Sequence, residues 1–263
     1  MLSKQKSLEI LAPIAIGLIV LTVWEVGVRV TQTPVYLLLG PLTIFKTLIQ
    51  DSPVLLPALG TTFKITICAF LAATISGLGI AMVMAQSSWL EKSLYPYVIV
   101  LQTVPLAAIA PLIIIWLRSN TFLALVVCAW IAALFPIISN TLVGLSSAAS
   151  NLRDLFKLYQ ASPWQTLIYL RLPSALPYFL AGLRISGGLA LIGAVVAEFV
   201  AGSGGANSGI AYQILIAGYN LEIPKMFAAL LLVTLLGIVI FFSLASFSQF
   251  LLKDWHESAQ KQP

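Results

Sequence analysis

Long apolar runs constrain this chain more than any other feature of its sequence. Six stretches of about 20 or more mostly apolar residues lie between residues 10 and 252, and roughly 20 such residues let an α-helix cross a bilayer. Only 9% of the residues are charged, against about 25% in soluble domains. Alternating ten-residue segments, which would indicate membrane strands, are absent from the sequence. The chain is therefore predicted to be an all-α integral membrane protein.

The apolar runs divide the chain into six predicted transmembrane helices. They cover residues 10–28, 59–85, 94–117, 121–145, 178–199 and 225–252. Prolines at three positions make the third span irregular, and a short interfacial helix is predicted at residues 42–50. The organisation that follows is an N-terminal span with an interfacial segment at 1–58, a core at 59–252 with a loop at 151–177, and a polar tail at 253–263.

The distribution of Lys and Arg predicts the orientation of the chain. Six spans place both termini on the same side of the membrane. If that side is the cytoplasm, eight basic residues lie in the inner segments and five in the outer ones, with Arg184 set aside. Cytoplasmic loops carry an excess of Lys and Arg, so both termini and the loop at 151–177 are predicted to be cytoplasmic. The same rule accounts for the net charge of +5 without a nucleic-acid partner.

The loop at residues 151–177 is patterned as two amphipathic helices. Ser162, Pro163 and Gln165 form the start signature of the second helix, a capping box with proline at the first position. Pro173 and Pro177 are predicted to end that helix, because a residue that precedes proline avoids the α region. The first helix places four apolar residues on one face, at i, i+3, i+4 and i+7: Leu152, Leu155, Phe156 and Tyr159.

Two interpretations of this loop remain open on pattern alone. The hairpin could lie on the bilayer surface, with its apolar faces in the headgroup region. Alternatively, it could dock into a groove on another protein.

Two ionisable residues in the fifth span are candidate pathway residues, because charges inside a membrane are functional hypotheses by default. Glu198 lies near the outer end of the span and Arg184 near the inner end. Each also has a structural interpretation. Glu198 could anchor the helix end or pair with a loop residue, and Arg184 could reach the interface, a lipid phosphate or a neighbouring helix. In the same span, small residues recur every four positions and favour close helix packing: Gly182, Ser186, Ala190 and Ala194.

Neutral polar residues in the third and fourth spans complete the candidate pathway. Gln102 and Thr103 lie beside Pro105 near the middle of the third span, and Asn140 lies within the fourth. Such residues either line a water-filled path, where broken helices are tolerated, or hold neighbouring helices together.

The sequence contains no combination of residues that would support catalysis on this chain. It has no P-loop, no catalytic cluster and no set of metal ligands. Cys68 and Cys128 lie in apolar runs, and the single histidine, His256, lies in the polar tail. We therefore expect no cofactor, no metal and no enzymatic activity on this chain.

Residues 154–173 resemble the cytoplasmic "EAA" loop of the permease subunits of type I ABC importers. Asp154, Leu155 and Phe156 fall on the Glu-Ala-Ala of that pattern, Gln160 falls on its glycine, and Leu170 with Leu172-Pro173 falls on its end. If the glycine position requires a positive φ, glutamine there is strained by about 1–2 kcal/mol. Ala161 and Ser162 match the usual continuation. The runs LQTVPLAAIAPLIIIWL and LPSALPYFLAGLRISGGLALIGAVVAEFVAG are similar to the nitrate/sulfonate/taurine branch of this family.

This resemblance implies a six-helix permease of the MetI-like fold, with a coupling helix between spans four and five. Two such subunits, here expected as a homodimer, would sit on two ATPase subunits that bind ATP and Mg²⁺, and a soluble or lipid-anchored binding protein would deliver the solute. The membrane would be a bacterial-type inner membrane. The residues expected to contact the ATPase are Leu152, Arg153, Asp154, Leu155, Phe156, Lys157, Tyr159, Gln160, Ala161 and Ser162.

The resemblance also implies a substrate class. The branch imports small anions such as nitrate, sulfonates including taurine, and bicarbonate. The alternative within the same family is a vitamin or vitamin precursor. An ion-coupled secondary transporter is a further alternative, but it would require intramembrane acids or a repeat across two halves, and only Glu198 meets that requirement.

Overall fold

The computed structural model describes residues 2–34, 37–202 and 208–253, with side chains from residue 11 onward apart from Pro13. All regular secondary structure in these residues is helical. The helices are α1 (Leu2–Val30), α2 (Pro41–Gln50), α3 (Ser52–Met84), α4 (Ser88–Thr103), α5 (Leu106–Trp116), α6 (Thr121–Ser146), α7 (Ser150–Leu158), α8 (Pro163–Thr166), α9 (Leu172–Ala201), α10 (Ile210–Tyr219) and α11 (Ile223–Leu252). Of the predicted tail, only Lys253 lies within the described residues.

Most of the predicted spans are single helices. Four helical segments are each long and apolar enough to cross a membrane: α3, α6, the continuous segment Pro163–Ala201 and α11. Helices α4 and α5 meet the same criterion together, as a pair bent by 96°. Helix α1 is 29 residues long and covers the predicted first span. The six predicted segments therefore occur in the predicted order, but the third is a broken helix.

The break in the third segment lies at Val104 and Pro105. Val104 has an extended backbone with ψ of 124°, as expected for a residue that precedes proline. The sequence predicted irregularity at three prolines, yet Pro96 and Pro111 lie inside α4 and α5 without ending them. The single break at Pro105 therefore accounts for the whole bend.

Helix α9 packs along α6 through small side chains. Ser186 Oγ donates a hydrogen bond to the carbonyl oxygen of Ala133 at 2.7 Å, and a β-carbon added to Gly193 would lie 2.9 Å from Ala129 Cα. Such close approach of two backbones requires small residues at the contact. The four residues of the predicted series are all buried: Gly182, Ser186, Ala190 and Ala194.

The bundle has two distinct ends, because α3, α6 and α9 run through it. We call one the loop end, where α3 and α6 finish and α7, α8 and the start of α9 lie. We call the other the α10 end, where α2 and α10 pack on the first turns of α3 and α11. Buried apolar residues there include Leu55, Ala58, Ile210 and Ala228. The two ends are therefore separate surfaces at opposite ends of the bundle.

Candidate functional site

Helix α7 at the loop end packs little of its surface against the rest of the described chain. Each of its residues is exposed except Phe156, which is partly buried. Leu155 is 44% exposed, and Tyr159, which caps the helix, is 77% exposed. Leu158, at 78% exposed, adds an outward apolar side chain that the spacing rule did not select. Leu152 is 44% exposed as well, so four apolar side chains project from this short helix and its cap, while Phe156 is partly buried.

The polar side of α7 carries the charged residues of the predicted coupling set. Lys157 Nζ lies 3.4 Å from Asp154 Oδ1, and both side chains are more than 70% exposed, at 79% and 72%. Exposed pairs of this kind contribute little to stability, typically about 0–1 kcal/mol. Arg153 is also exposed. These charges are therefore available to orient a partner surface.

The chain leaves α7 through a turn at Gln160, which has φ of +50° in the left-handed region. The N–H of Gln160 donates to the carbonyl oxygen of Lys157, and the N–H of Ala161 donates to that of Phe156, both at 3.0 Å. This is the Schellman pattern, in which the left-handed position is usually glycine. The position therefore does require a positive φ, and a glutamine occupies it.

The predicted capping box at the start of α8 is confirmed. The N–H of Ser162 donates to Gln165 Oε1 at 2.7 Å, and the N–H of Gln165 donates to Ser162 Oγ at 3.2 Å. Pro163 occupies the first helical position. Two hydrogen bonds therefore fix how the chain enters the next helix.

The prediction that Pro173 and Pro177 end this second helix is wrong. Residues 163–201 form one continuous helical segment, in which a π-helical turn at Leu167–Arg171 joins α8 to α9. Pro173 lies in the first turn of α9, and Pro177 lies inside it. The wider π turn comes just before Pro173 and shifts the carbonyl groups that its ring would otherwise clash with. Helix α8 and the fifth span are thus one continuous helical element.

The end of the loop motif is buried. Leu170 is 5% exposed, and Leu172 lies against a small apolar cluster formed by Leu145, Leu167 and Ala175. The leucine before Pro173 therefore helps to hold the loop against α6, the helix that carries Leu145.

Arg171 is a structural residue that the sequence patterns did not identify. Its Nε donates to the carbonyl oxygen of Leu145 at 2.9 Å, and its Nη1 donates to that of Ala85 at 2.8 Å. These carbonyls belong to the last turns of α6 and α3, where helices leave carbonyl groups without internal partners. One side chain therefore ties the π turn to the ends of two spans. The partners are 26 and 86 residues away in sequence, so no local signal could reveal them.

A cavity of about 550 Å³ lies between α4, α5, α6 and α9, at the bend of the broken span. Gln102 and Asn140, both predicted as pathway residues, line it together with Ser139. The amide nitrogen of Asn140 donates to the carbonyl oxygen of Pro136 at 2.8 Å, which leaves the amide oxygen available. Thr103 and Pro105 lie at the break beside this cavity but are not among its lining residues.

Two further cavities continue from this one toward the loop end. A cavity of about 380 Å³ shares Ser139 with the first and is also lined by Glu91, Tyr95 and Ser146. A third, of about 420 Å³, shares Glu91 and Ser146 with the second. The basic residues that line the third cavity are Arg153, Lys157 and Arg171. The three cavities are therefore neighbours, in a row from the bend of the broken span to the base of α7.

The structure places Arg184 and Glu198 away from the cavity of about 550 Å³. The guanidinium carbon of Arg184 lies 6.0 Å from the ring centroid of Phe241 in α11, at the outer limit of a cation–π contact. Its Nε is buried and has no hydrogen-bond partner among the described residues. Glu198 is 3% exposed and contacts Thr62 in α3 and the first turn of α10. Neither residue lines that cavity.

Comparison with known proteins shows to which family this chain belongs. Residues 73–253 match the family described as "Binding-protein-dependent transport system inner membrane component". The chain belongs to this family of ABC transporter permeases. The match begins within α3 and ends just after α11, so it covers both the loop at 151–177 and the three cavities.

Curated relatives are similar to this permease along most of its length. A formylaminopyrimidine transport permease of Halalkalibacterium halodurans is 30% identical over 94% of this chain and 97% of its own. A riboflavin transport system permease of Chloroflexus aurantiacus is 32% identical, with 92% and 88% covered. A putative aliphatic sulfonates transport permease of Bacillus subtilis is 30% identical, with 83% and 78% covered. The permease family and branch that the sequence resembled are thus confirmed.

A solved structure supports the fold. The permease superimposes on a chain of the MetNI methionine ABC transporter, in an inward-facing conformation, with a TM-score of 0.62, and the match covers 76% of this chain and 97% of that one. The two sequences are only 16% identical, so this similarity concerns the fold alone. The predicted MetI-like fold is confirmed.

Proposed function

We propose that this chain is the membrane-spanning permease subunit of an ATP-driven importer that receives its solute from a binding protein. Membership of the permease family supports this proposal. The chain carries no P-loop sequence, so ATP and Mg²⁺ would be bound by a separate ATPase subunit.

The exposed helix α7 carries this proposal. Helices with outward apolar side chains are a common way for one protein to dock into a groove on another. On α7, Leu155, Leu158 and Tyr159 face outward, and the segment that follows is continuous with α9. Motion imposed on α7 by an ATPase would therefore pass through the hydrogen-bonded turn at Gln160 into the continuous segment Pro163–Ala201, and along it to the cavity.

Reconstitution of the whole importer tests this proposal. The full-length chain would be co-expressed with the ATPase and the binding protein encoded beside it, and purified through a tag on the ATPase. We expect the permease to co-purify, and uptake into proteoliposomes to require ATP and the binding protein. Uptake that persists without the ATPase, driven by an ion gradient instead, would contradict the proposal.

We also propose the assembly and orientation of the importer. Two copies of this chain would form a homodimer, with both termini and the loop end in the cytoplasm and the α10 end toward the binding protein. The excess of Lys and Arg in the loops on one side supports this orientation. Native mass spectrometry of the complex tests the copy number, and a membrane-impermeant maleimide on Leu158→Cys in intact cells tests the side. We expect no labelling until the cells are opened.

For the solute, the lining of the cavity favours a vitamin precursor over a small anion. The described residues that line the cavity of about 550 Å³ include no charged side chain, whereas Gln102, Ser139 and Asn140 offer neutral polar groups. Relatives named for a pyrimidine and for riboflavin match nearly the whole chain. The sulfonate relative matches 83% of it, and a nitrate import permease of Synechococcus elongatus, 34% identical, matches 52%.

Identification of the binding protein's ligand tests the substrate class directly. The binding protein would be purified from its own host and its bound ligand released and identified by mass spectrometry. We expect an aromatic heterocycle. A sulfonate or nitrate would instead support the small-anion alternative.

A further inference from the structure

A buried carboxyl group joins three helices at the α10 end. Glu198 Oε1 accepts a hydrogen bond from Thr62 Oγ1 at 2.7 Å, and its Oε2 accepts one from the backbone N–H of Ala211 at 3.1 Å. Thr62 Oγ1 in turn accepts a hydrogen bond from the N–H of Ile210 at 2.9 Å. Glu198 is 3% exposed and Thr62 is fully buried. Helices α9, α3 and α10 therefore meet in one polar network that solvent does not reach.

This network provides hydrogen-bond acceptors for the first N–H groups of α10. The first N–H groups of any helix lack partners within the helix, and a buried N–H group without a partner is costly. Two such groups of α10, those of Ile210 and Ala211, find acceptors on Thr62 and Glu198. A carboxyl group at this position also complements the positive end of the helix dipole.

Glycine at position 209 makes the contact possible. A β-carbon added to Gly209 would overlap the Glu198 carboxyl group, so only glycine lets the backbone come this close. The same arrangement occurs at α2, where Glu25 Oε2 accepts a hydrogen bond from the N–H of Leu42 at 3.1 Å and a β-carbon on Gly40 would overlap Glu25. A second instance in the same chain indicates that the contact is a built feature of the two short helices.

We propose that Glu198 is a positioning residue that, through Thr62, latches α10 to α3 and α9, so that these three helices move as one body at the α10 end. The buried side chains of α10 are two isoleucines and two alanines, which pack without directional contacts, whereas the polar network provides directional ones. The hydrogen bonds fix the register of its first turn. This inference requires neither a particular solute nor a particular ATPase.

Maleimide labelling of a buried α10 position tests the latch in the purified full-length chain. Ala217 is fully buried on α10, so Ala217→Cys provides the reporter thiol, in a background where the exposed Cys68 is replaced by alanine. Ile214→Cys, at a residue that is 7% exposed, serves as a second reporter. The native Cys128 in α6 is fully buried and reports any general loss of structure. The label on each thiol would be quantified by peptide mass spectrometry with N-ethylmaleimide.

Two substitutions of Thr62 distinguish the effect of its hydroxyl group from the effect of its side-chain shape. Thr62→Val keeps the shape and removes the hydroxyl, whereas Thr62→Ser keeps the hydroxyl. We expect Thr62→Val to raise the labelling rate of the α10 reporters at least about tenfold, because it opens α10 locally while Cys128 stays protected. Thr62→Ser should label like the parent protein. Glu198→Gln, which keeps one acceptor, should raise the rate less than Glu198→Leu, and Glu25→Gln should leave the α10 reporters protected.

Two results would overturn the latch. Reporters that stay protected in both Thr62→Val and Glu198→Leu would show that apolar packing alone holds α10. Equal exposure of Cys128 and the α10 reporters would show that the network supports the whole fold rather than the position of one helix.

Discussion

At the scale of single residues, the turn after α7 holds a side chain in a backbone conformation that suits glycine. Gln160 has φ of +50°, and the hydrogen bonds of the turn leave it no other conformation. The sequence comparison identified this position as unusual, because glutamine stands where the family pattern has glycine. The structure gives the physical reason, which is the left-handed position of a Schellman motif.

Gln160→Gly should therefore stabilise the protein. Relief of the left-handed strain, about 1–2 kcal/mol, exceeds the entropy that glycine adds to the unfolded chain, about 0.5–1 kcal/mol. We expect a higher midpoint of thermal unfolding for the purified chain. Ala161→Gly, one residue later at a position without a positive φ, is the matched control and should lower the midpoint.

Arg171 holds the loop end together through backbone carbonyl groups. Arg171→Met should remove both hydrogen bonds while it keeps much of the apolar stem. Because each bond involves a charged donor, we expect a loss of about 3 kcal/mol in the free energy of unfolding, together with faster proteolysis at the loop end. Arg171→Lys, which can reach one carbonyl at a time, should lose less. Equal unfolding midpoints for the methionine variant and the parent protein would contradict this role.

At the scale of elements, the contact between α6 and α9 depends on small residues. Gly193→Ala should destabilise the chain by about 1–3 kcal/mol, because the added carbon would lie 2.9 Å from Ala129 Cα and 3.0 Å from Ala132 Cβ. Gly188, in the same helix, faces open space, so Gly188→Ala should be neutral or slightly stabilising. Thermal unfolding of both variants in one detergent measures the difference. A midpoint that rises by the same amount in both would show that helix propensity, not packing, decides.

Helix positions were largely predictable from the sequence, because hydropathy and local turn signals determine them. The short helix predicted at residues 42–50 occurs as Pro41–Gln50, and the fourth span predicted at 121–145 occurs as Thr121–Ser146. Helix continuity was less predictable. Whether a proline ends a helix depends on how the turn before it is built, and the π turn at Leu167–Arg171 has no simple sequence signature.

At the scale of the whole molecule, three cavities connect the broken span with the loop end. Ser139 lines both of the first two, so it stands at their junction. Ser139→Leu should reduce uptake at least about tenfold, because the larger side chain would occupy space at the boundary of both cavities. Association with the ATPase should not change. Ser139→Ala is the matched control and should transport normally, and undiminished uptake in the leucine variant would place the path elsewhere.

The candidate site was only partly predictable, because its contacts join residues that are distant in sequence. Gln102 and Asn140 were selected as polar residues within spans, and the fold brings them into one cavity. Glu198 was selected for the same reason, yet its partner Thr62 is 136 residues away, and the network lies at the α10 end rather than at the cavity of about 550 Å³. Residue type thus indicated which side chains matter, but only the packing of helices shows which of them meet.

If α7 is the contact through which an ATPase drives this permease, the affinity of the permease for that ATPase depends on the exposed side chains of α7. Tyr159→Asp places a charge on the docking helix, whereas Tyr169→Asp makes the same change at a residue of similar exposure outside it, 71% against 77%. Aromatic residues often dominate such interfaces, so we predict a loss of affinity of at least about tenfold for Tyr159→Asp and little change for Tyr169→Asp. If both variants bound the ATPase with the parental affinity, α7 would not contribute to the ATPase contact.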